Sequence, residues 1–423
     1  MATIDALRVD AALSARREDI TALLCDLIRV PSMPGSEGPA MERMFAALQD
    51  LADVVEYVPV TEAIRQDPDF SYPVADIKYG DRPCIRAIKK GGGSGKSLLF
   101  NTHLDVVPPS SMHEKPFEPQ VVDGVVFGRG ACDAKGQAVT AWALLRLLKD
   151  LDVTPGGDIT FHFVIEEEVG GNGSVAMVRT GDKADAAIVL EPTEFVILPQ
   201  VRGAVWFETT IYGQSGHSGK PGGTVSALLK SIIAIQTFTK YHDRCIAESR
   251  GKYPLFDQFE NPAPLTIGQL QAGDWPAQAP QKSVFKGVLG ILPDRTKEQV
   301  MDEMRQALRD AGDPWLAENF EMEFTYRHDA NVIEPDHPLV QGLEAACNAC
   351  GQEPKVSAMT ASCDAWLYNN QLKIPTVVFG PGSLGVAHSN QEQIAVDDIL
   401  KAARVLASFV GDWCGAVQHG GNA

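Results

Sequence analysis

The chain has 423 residues, too many for one hydrophobic core, and its 44% hydrophobic and 22% charged residues suit a globular protein of two or three domains. Its 37 Lys and Arg against 55 Asp and Glu leave a formal charge of −18. That balance argues against a nucleic-acid or anionic-membrane partner, both of which need a basic footprint, and says little about a small-molecule substrate.

The N-terminal stretch (MATIDALRVDAALSARREDI) is mixed and charged, without the apolar core of a secretory signal. No apolar run reaches transmembrane length, so the expectation is a cytoplasmic protein. Residues 16–29 and 38–50 carry apolar positions at helical spacing, and Val30-Pro31-Ser32 ends the first of these helices. The Gly-rich run at 90–96 has the wrong spacing for a phosphate-binding loop and reads as a surface turn. Residues 97–101 form an apolar run leading into HLDVVP, the pattern of a buried strand. Residues 136–149 read as a helix, 159–165 as a strand ending in three glutamates, and 186–190 as a strand ending at Glu191. Strands alternating with helices predict an α/β domain with a largely parallel sheet, whose sites form at the C-terminal strand ends.

From Gly203 onward the pattern changes. A strand at 205–212, a helix at 226–239, strands at 264–270 and 284–292, a helix at 296–312 and a strand at 320–326 follow. That is the ferredoxin-like order, and predicts an inserted α+β domain over 204–330 between catalytic parts at 1–203 and 331–423. A late strand at 377–379 precedes GPGS. Eight scattered cysteines do not make a disulfide scaffold. Cys347 and Cys350 form one CxxC without a second pair, and read as helix positions i and i+3.

Five segments carry chemistry: His103 and Asp105 in HLD, Asp133 in GRGACDAKG, Glu166–Glu168 before VGGNGS, Glu191 in EPT, and His388 in AHSNQE. Imidazoles and carboxylates are good ligands for divalent ions, and a carboxylate with two oxygens can bridge two of them. Three glutamates at the end of an apolar strand repel one another unless a cation sits among them. Asp105, two residues after His103 on an extended chain, is placed to accept the second ring N–H. An isolated HxD or a run of glutamates is commonly a solvated surface; the order of the five and their placement at strand ends point to a metal site.

With these motifs in place, the chain resembles the family of acetylornithine deacetylase, succinyl-diaminopimelate desuccinylase, aminoacylase and carboxypeptidase G. The resemblance runs from LIRVPS through THLDVVP, GRGACDAKGQ, EEEVGGNGS, LEPT and SGHSG to FGPGSLGVAHSNQE. It implies a zinc-peptidase-like catalytic domain with two metal ions and an inserted lid that forms a homodimer. His103 and Glu191 would hold one ion, Glu168 and His388 the other, with Asp133 bridging and Glu167 as general base. Glu166 stands where relatives have Asp. His217 matches the lid histidine that stabilises an oxyanion, often in the partner's site. Zn²⁺ suits the donor set best, with Mn²⁺ and Co²⁺ as alternatives and occupancy of one or two. The remaining histidines (113, 162, 242, 328, 337, 419) match no motif, and His337 reads as a helix-start residue.

The chain departs from the family at the substrate pocket. The Arg of an Arg-x-x-Pro is Gly290, an Asn before Pro280 is replaced in Ala277-Gln278-Ala279, and an Asp-Ala-Arg is Asp364-Ala365-Trp366. The usual carboxylate clamp is gone. Arg202 and Trp366 are the candidate substrate contacts, each also readable as structure: a hinge residue and a core aromatic. The expected activity is metal-dependent hydrolysis of a C–N bond, in an N-acyl amino acid, dipeptide or related molecule. An aminohydrolase acting on an aromatic or cyclic amino acid, such as a nitroanthranilate, is the alternative. A non-catalytic metal-dependent binding protein is a third reading, against which the retention of Glu167 argues.

Overall fold

The computed structural model describes residues 6–217, 219 and 222–418. After a first helix at Ala6–Ala15, the first unit runs through helices α1 (Arg17–Ile28) and α2 (Gly38–Leu48), then strands β1 (Val54–Val58), β2 (Cys84–Lys89) and β3 (Leu98–His103). Helix α3 (Lys135–Asp150), strand β4 (Ile159–Val164), the short helix α4 (Asn172–Val178) and strands β5 (Ala187–Val189) and β6 (Val196–Val201) follow. Apolar LLF lets β3 run buried along its whole length, which places it mid-sheet. The strands β4, β3 and β5 are parallel neighbours.

A second, four-stranded antiparallel sheet then begins. It comprises β7 (Gly203–Tyr212), helix α5 (Ala227–Ser249), β8 (Leu265–Ala272), β9 (Lys282–Ile291), helix α6 (Lys297–Arg309) and β10 (Phe320–His328). Its order, β8-β9-β7-β10, is the ferredoxin-like one. It has its own core, built around Phe207, Phe238 and Phe285. Helix α5 runs ten residues beyond the expected end at 239, because Tyr241 and His242 remain buried on its inner face. Helix α6 opens with a capping box between Thr296 and Gln299.

The chain returns through β11 (Asn331–Val332), β12 (Lys355–Met359) and β13 (Thr376–Val378), and closes with helix α7 (Val396–Trp413). Strand β13 lies parallel to β5, and completes a large sheet ordered β1-β2-β4-β3-β5-β13-β6-β11, with β12 also on β6. The central four strands are parallel, and antiparallel pairings flank them at β2 and β6. All eight cysteines are free. Cys347 lies in a helix at Pro338–Ala349, and Cys350, expected in the same helix, is instead the residue that caps its C-terminus.

Candidate metal centre

The C-terminal ends of the parallel strands deliver the charged side chains to one place. His103 is the last residue of β3, Glu166–Glu168 follow β4, and Glu191 lies just past β5. Asp133 sits in the loop before α3, and His388 in the loop after β13. The Asp133 carboxylate stands between the imidazoles, with Oδ1 3.1 Å from His103 Nε2 and Oδ2 3.3 Å from His388 Nε2. His388 Nε2 is also 3.0 Å from Glu168, and His103 Nε2 is 3.9 Å from Glu191. Ligand atoms of His103, Asp133 and Glu168 lie within 4.8 Å of one another, as do those of His103, Glu167 and Glu191.

The electrostatics fit a cation. Burial, followed by the charge of Glu191, pushes the Glu167 carboxyl well up. Burial, then Asp133, pushes Glu168 to about 7. Glu191 is raised by burial and by Asp133, although His103 opposes the shift, and its Oε1 is buried with no hydrogen-bond partner among the described residues. Hydrogen bonds to Asp133 and Glu168 raise His388 to about 10. Crowded, under-solvated carboxylates facing imidazoles are what a divalent ion relieves.

A framework of buried groups holds these loops. Glu392 accepts from the backbone N–H groups of Cys132 and Asp133 at 3.1 and 3.0 Å and pairs with Arg129. Arg129 in turn donates to the carbonyl of His388 at 3.1 Å, so one ion pair ties the Asp133 and His388 loops together. Lys135 Nζ donates to the carbonyls of Leu27 and Val30, both at 2.9 Å, and docks the LIRVPS segment on the start of α3. Glu166, at φ 61°, turns the chain out of β4. Its carboxylate is buried and bonded to Arg82, Tyr79 and Asn172.

The six residues His103, Asp133, Glu167, Glu168, Glu191 and His388 therefore meet. Asp105 is fully buried beside them with a different grip from the one expected. The closest acceptor to His103 Nδ1 is the carbonyl of Asp105, at 3.0 Å, while the carboxylate lies at 3.4 Å. That carboxylate accepts from the backbone N–H groups of Glu167 and Glu168, at 3.1 and 3.0 Å. Strand β3 ends at His103, so strict alternation of faces no longer governs Asp105.

His217 stands apart, exposed on a loop of the second unit. Its Nδ1 accepts from Gly219 N at 3.0 Å and its backbone bridges to Gln278. Arg202 donates to the carbonyls of Thr360 and Gly203 at the junction of the two units, which makes it a hinge clasp. Of the two readings of Trp366, substrate contact and core aromatic, its burial supports the second: it is 1% exposed in the main core, with Lys297 Nζ 4.1 Å from its ring centroid. Gly290 is closed off, since a Cβ there would lie 2.7 Å from Ala263 Cα.

Of the other histidines, His337 caps its helix by accepting from Leu339 N at 3.1 Å. His162 is buried between Tyr368 and Asp182, His328 is buried beside Tyr326 and Ser362, and His242 bonds the carbonyl of Ala263. His113 is partly exposed, and His419 lies outside the described residues. Glu392, Arg129, Asn172 and Asp364 emerge only from the structure, although Glu392 closes the AHSNQE motif. Asp364 is wholly buried, and burial raises its carboxyl to about 7.

Known proteins share this sequence pattern and fold. The model of peptidase family M20/M25/M40 matches residues 99–412. An N-formyl-4-amino-5-aminomethyl-2-methylpyrimidine deformylase from Halalkalibacterium halodurans is 27% identical over 365 residues, covering 79% of this chain and 84% of that protein. An acetylornithine deacetylase from Myxococcus xanthus is 28% identical over 342 residues, covering 78% and 83%. Among solved structures, the di-peptidase Dug1p from Saccharomyces cerevisiae shares the fold with a TM-score of 0.78 at 15% identity, over 97% of this chain and 98% of that one.

Proposed function

The chain belongs to peptidase family M20/M25/M40 and is a metal-dependent hydrolase of C–N bonds, and from that premise we propose a site, a substrate class and an assembly. The observation that carries the site is Asp133 offering one oxygen to each imidazole. In this reading His103 and Glu191 hold one ion, Glu168 and His388 the other, and Asp133 bridges them. Zn²⁺ is the best match to the donors, with Mn²⁺ and Co²⁺ next, at one or two ions per chain. Ions held there would supply a water of lowered pKa and polarisation of the substrate oxygen. Glu167 takes the proton of the attacking water and passes it to the leaving nitrogen. Asp105 holds the turn that aims Glu167, through the backbone N–H of Glu167 and Glu168.

The substrate is an amide: an N-acyl amine, an N-acyl amino acid or a dipeptide. Ala263 packed against Gly290 leaves no room for a guanidinium there, which favours a substrate not held by an α-carboxylate at that point. The deformylase relative, named for a pyrimidine, is in keeping with this. The same observation supports the second reading, an aminohydrolase of an aromatic or cyclic amino acid. Release of free amine from N-formyl, N-acetyl, N-succinyl and dipeptide substrates with added Zn²⁺, Mn²⁺ or Co²⁺ tests the first reading; ammonia from aminobenzoates with no turnover of amides would select the second. Inertness towards both panels would remove the catalytic assignment.

We take residues 204–330 as the lid, and 1–203 with 331–423 as the catalytic unit. The lid leaves Leu229 and Ile232, three residues apart on α5, exposed together with Leu270 of β8 and with Trp275. This supports a homodimer through the lid, in which His217 reaches the partner's site and stabilises the oxyanion. No described helix is long and apolar enough to cross a membrane. The eight free thiols support a cytoplasmic location. Light scattering of the purified chain and fractionation of cells test these two points.

A further inference from the structure

Segment 69–72 belongs to the catalytic unit but is bound to the lid. Asp69 Oδ1 lies 2.6 Å from Lys297 Nζ, at the start of the lid helix α6. Tyr72 N donates to the carbonyl of Thr325 at 2.6 Å, and Ser71 Oγ accepts from Arg327 N at 3.3 Å, both on the lid strand β10. The other side of the segment meets Asn172 in a reciprocal pair. Ser71 N donates to Asn172 Oδ1 at 2.9 Å, and Asn172 Nδ2 donates to the carbonyl of Ser71 at 2.8 Å. The second N–H of the same amide reaches Glu166 Oε2 at 2.8 Å. Asp69, Ser71, Asn172, Glu166 and Lys297 are all buried.

The amide of Asn172 is thus saturated: one face clasps a segment fastened to the lid, the other clasps the residue before Glu167. Gly170 lies against the same segment, since a Cβ there would fall 2.2 Å from Ser71 Cβ. A displacement of β10 or α6 drags segment 69–72, and this contiguous hydrogen-bonded path passes it to the Glu166–Glu168 turn. We propose that Asn172 is a positioning residue that registers the lid against the turn carrying Glu167. The inference rests on Glu167 being the general base; the structural coupling does not.

The test uses Asn172→Ala, Lys297→Met and the double variant, in the full chain loaded with Zn²⁺. Lys297→Met removes the charged one of the three lid-side fastenings, the pair with Asp69, and lies outside residues 166–173. Amide exchange at 166–173 is expected to accelerate in Lys297→Met as well as in Asn172→Ala. Each single variant is expected to lower kcat by about ten- to a hundred-fold with bound metal unchanged, as small misplacements of a catalytic group do. The double variant is expected to be no slower than the slower single one. Unchanged exchange at 166–173 in Lys297→Met overturns the inference, as does a multiplicative loss in the double variant. If the unmodified protein has no amidase activity, the functional reading fails while the exchange measurement still decides the coupling.

Discussion

Glu392 accepts the backbone N–H of Asp133 at 3.0 Å from a fully buried position, and the same carboxylate neutralises Arg129. The loop bearing the bridging residue is therefore held by an ion pair that also reaches the carbonyl of His388. Glu392→Ala leaves the buried guanidinium unpaired and is expected to cost about 3–5 kcal/mol of stability. It should also weaken metal binding by about ten- to a hundred-fold, as loss of outer-shell partners does. Glu392→Gln keeps an acceptor for the N–H and should be milder. Melting curves and chelator competition check both; equal metal affinity in Glu392→Ala and the unmodified protein would contradict it.

Glu167→Gln is expected to retain the full metal content and lose about 10²–10⁴ in kcat, the range for removal of a general base. Parallel loss of metal and activity would instead make Glu167 a ligand.

The titration of the centre predicts how pH governs metal loading. Burial and the Asp133 charge raise Glu168 to about 7 from an ordinary 4.5. Its contribution to the stability of the metal-free protein is thus present below 4.5 and lost as pH rises through 7. Hydrogen bonds donated to Asp133 and Glu168 raise His388 from 6.5 to about 10, and its contribution is present below 6.5 and lost towards 10. Both signs agree, so the metal-free protein should melt lower at pH 8 than at pH 5.5. A metal needs the ionised carboxylate and the neutral imidazole, so the rise in Tm on adding Zn²⁺ should grow over that window. Calorimetry with chelator and with Zn²⁺ checks this, and a rise that shrinks with pH would contradict it.

His217→Ala and Glu167→Gln are expected to be slow as separate homodimers, yet to recover activity when mixed and allowed to exchange subunits. One mixed site then combines an intact base with an intact partner histidine. Absence of recovery in confirmed mixed dimers would place His217 outside the neighbouring site.

The candidate cluster was legible because His103, Glu167, Glu168 and Glu191 follow strand ends, while Asp133 and His388 lie in motif loops that bring matching donors to them. The ferredoxin-like order was legible from alternation and turn spacing. Strands such as β1 (VVEYV) and β12 (KVSAM) were not, since five mixed residues carry no decisive period. The supports Glu392, Arg129 and Asn172 act across contacts distant in sequence, which composition cannot reveal. Trp366 was open to two readings in sequence, pocket contact or core, and the contacts of Lys297 and His328 with its ring, distant in sequence, are what favour core.

The most direct test titrates metal-free protein with Zn²⁺ while recording bound metal and amine release from an N-formyl or N-acetyl substrate, beside Asp133→Ala. Amine release that appears with metal occupancy in the unmodified chain, and is lost together with tight metal binding in Asp133→Ala, is the predicted result. Amide cleavage by the metal-free chain, or undiminished cleavage by Asp133→Ala, would contradict a metal centre bridged by Asp133.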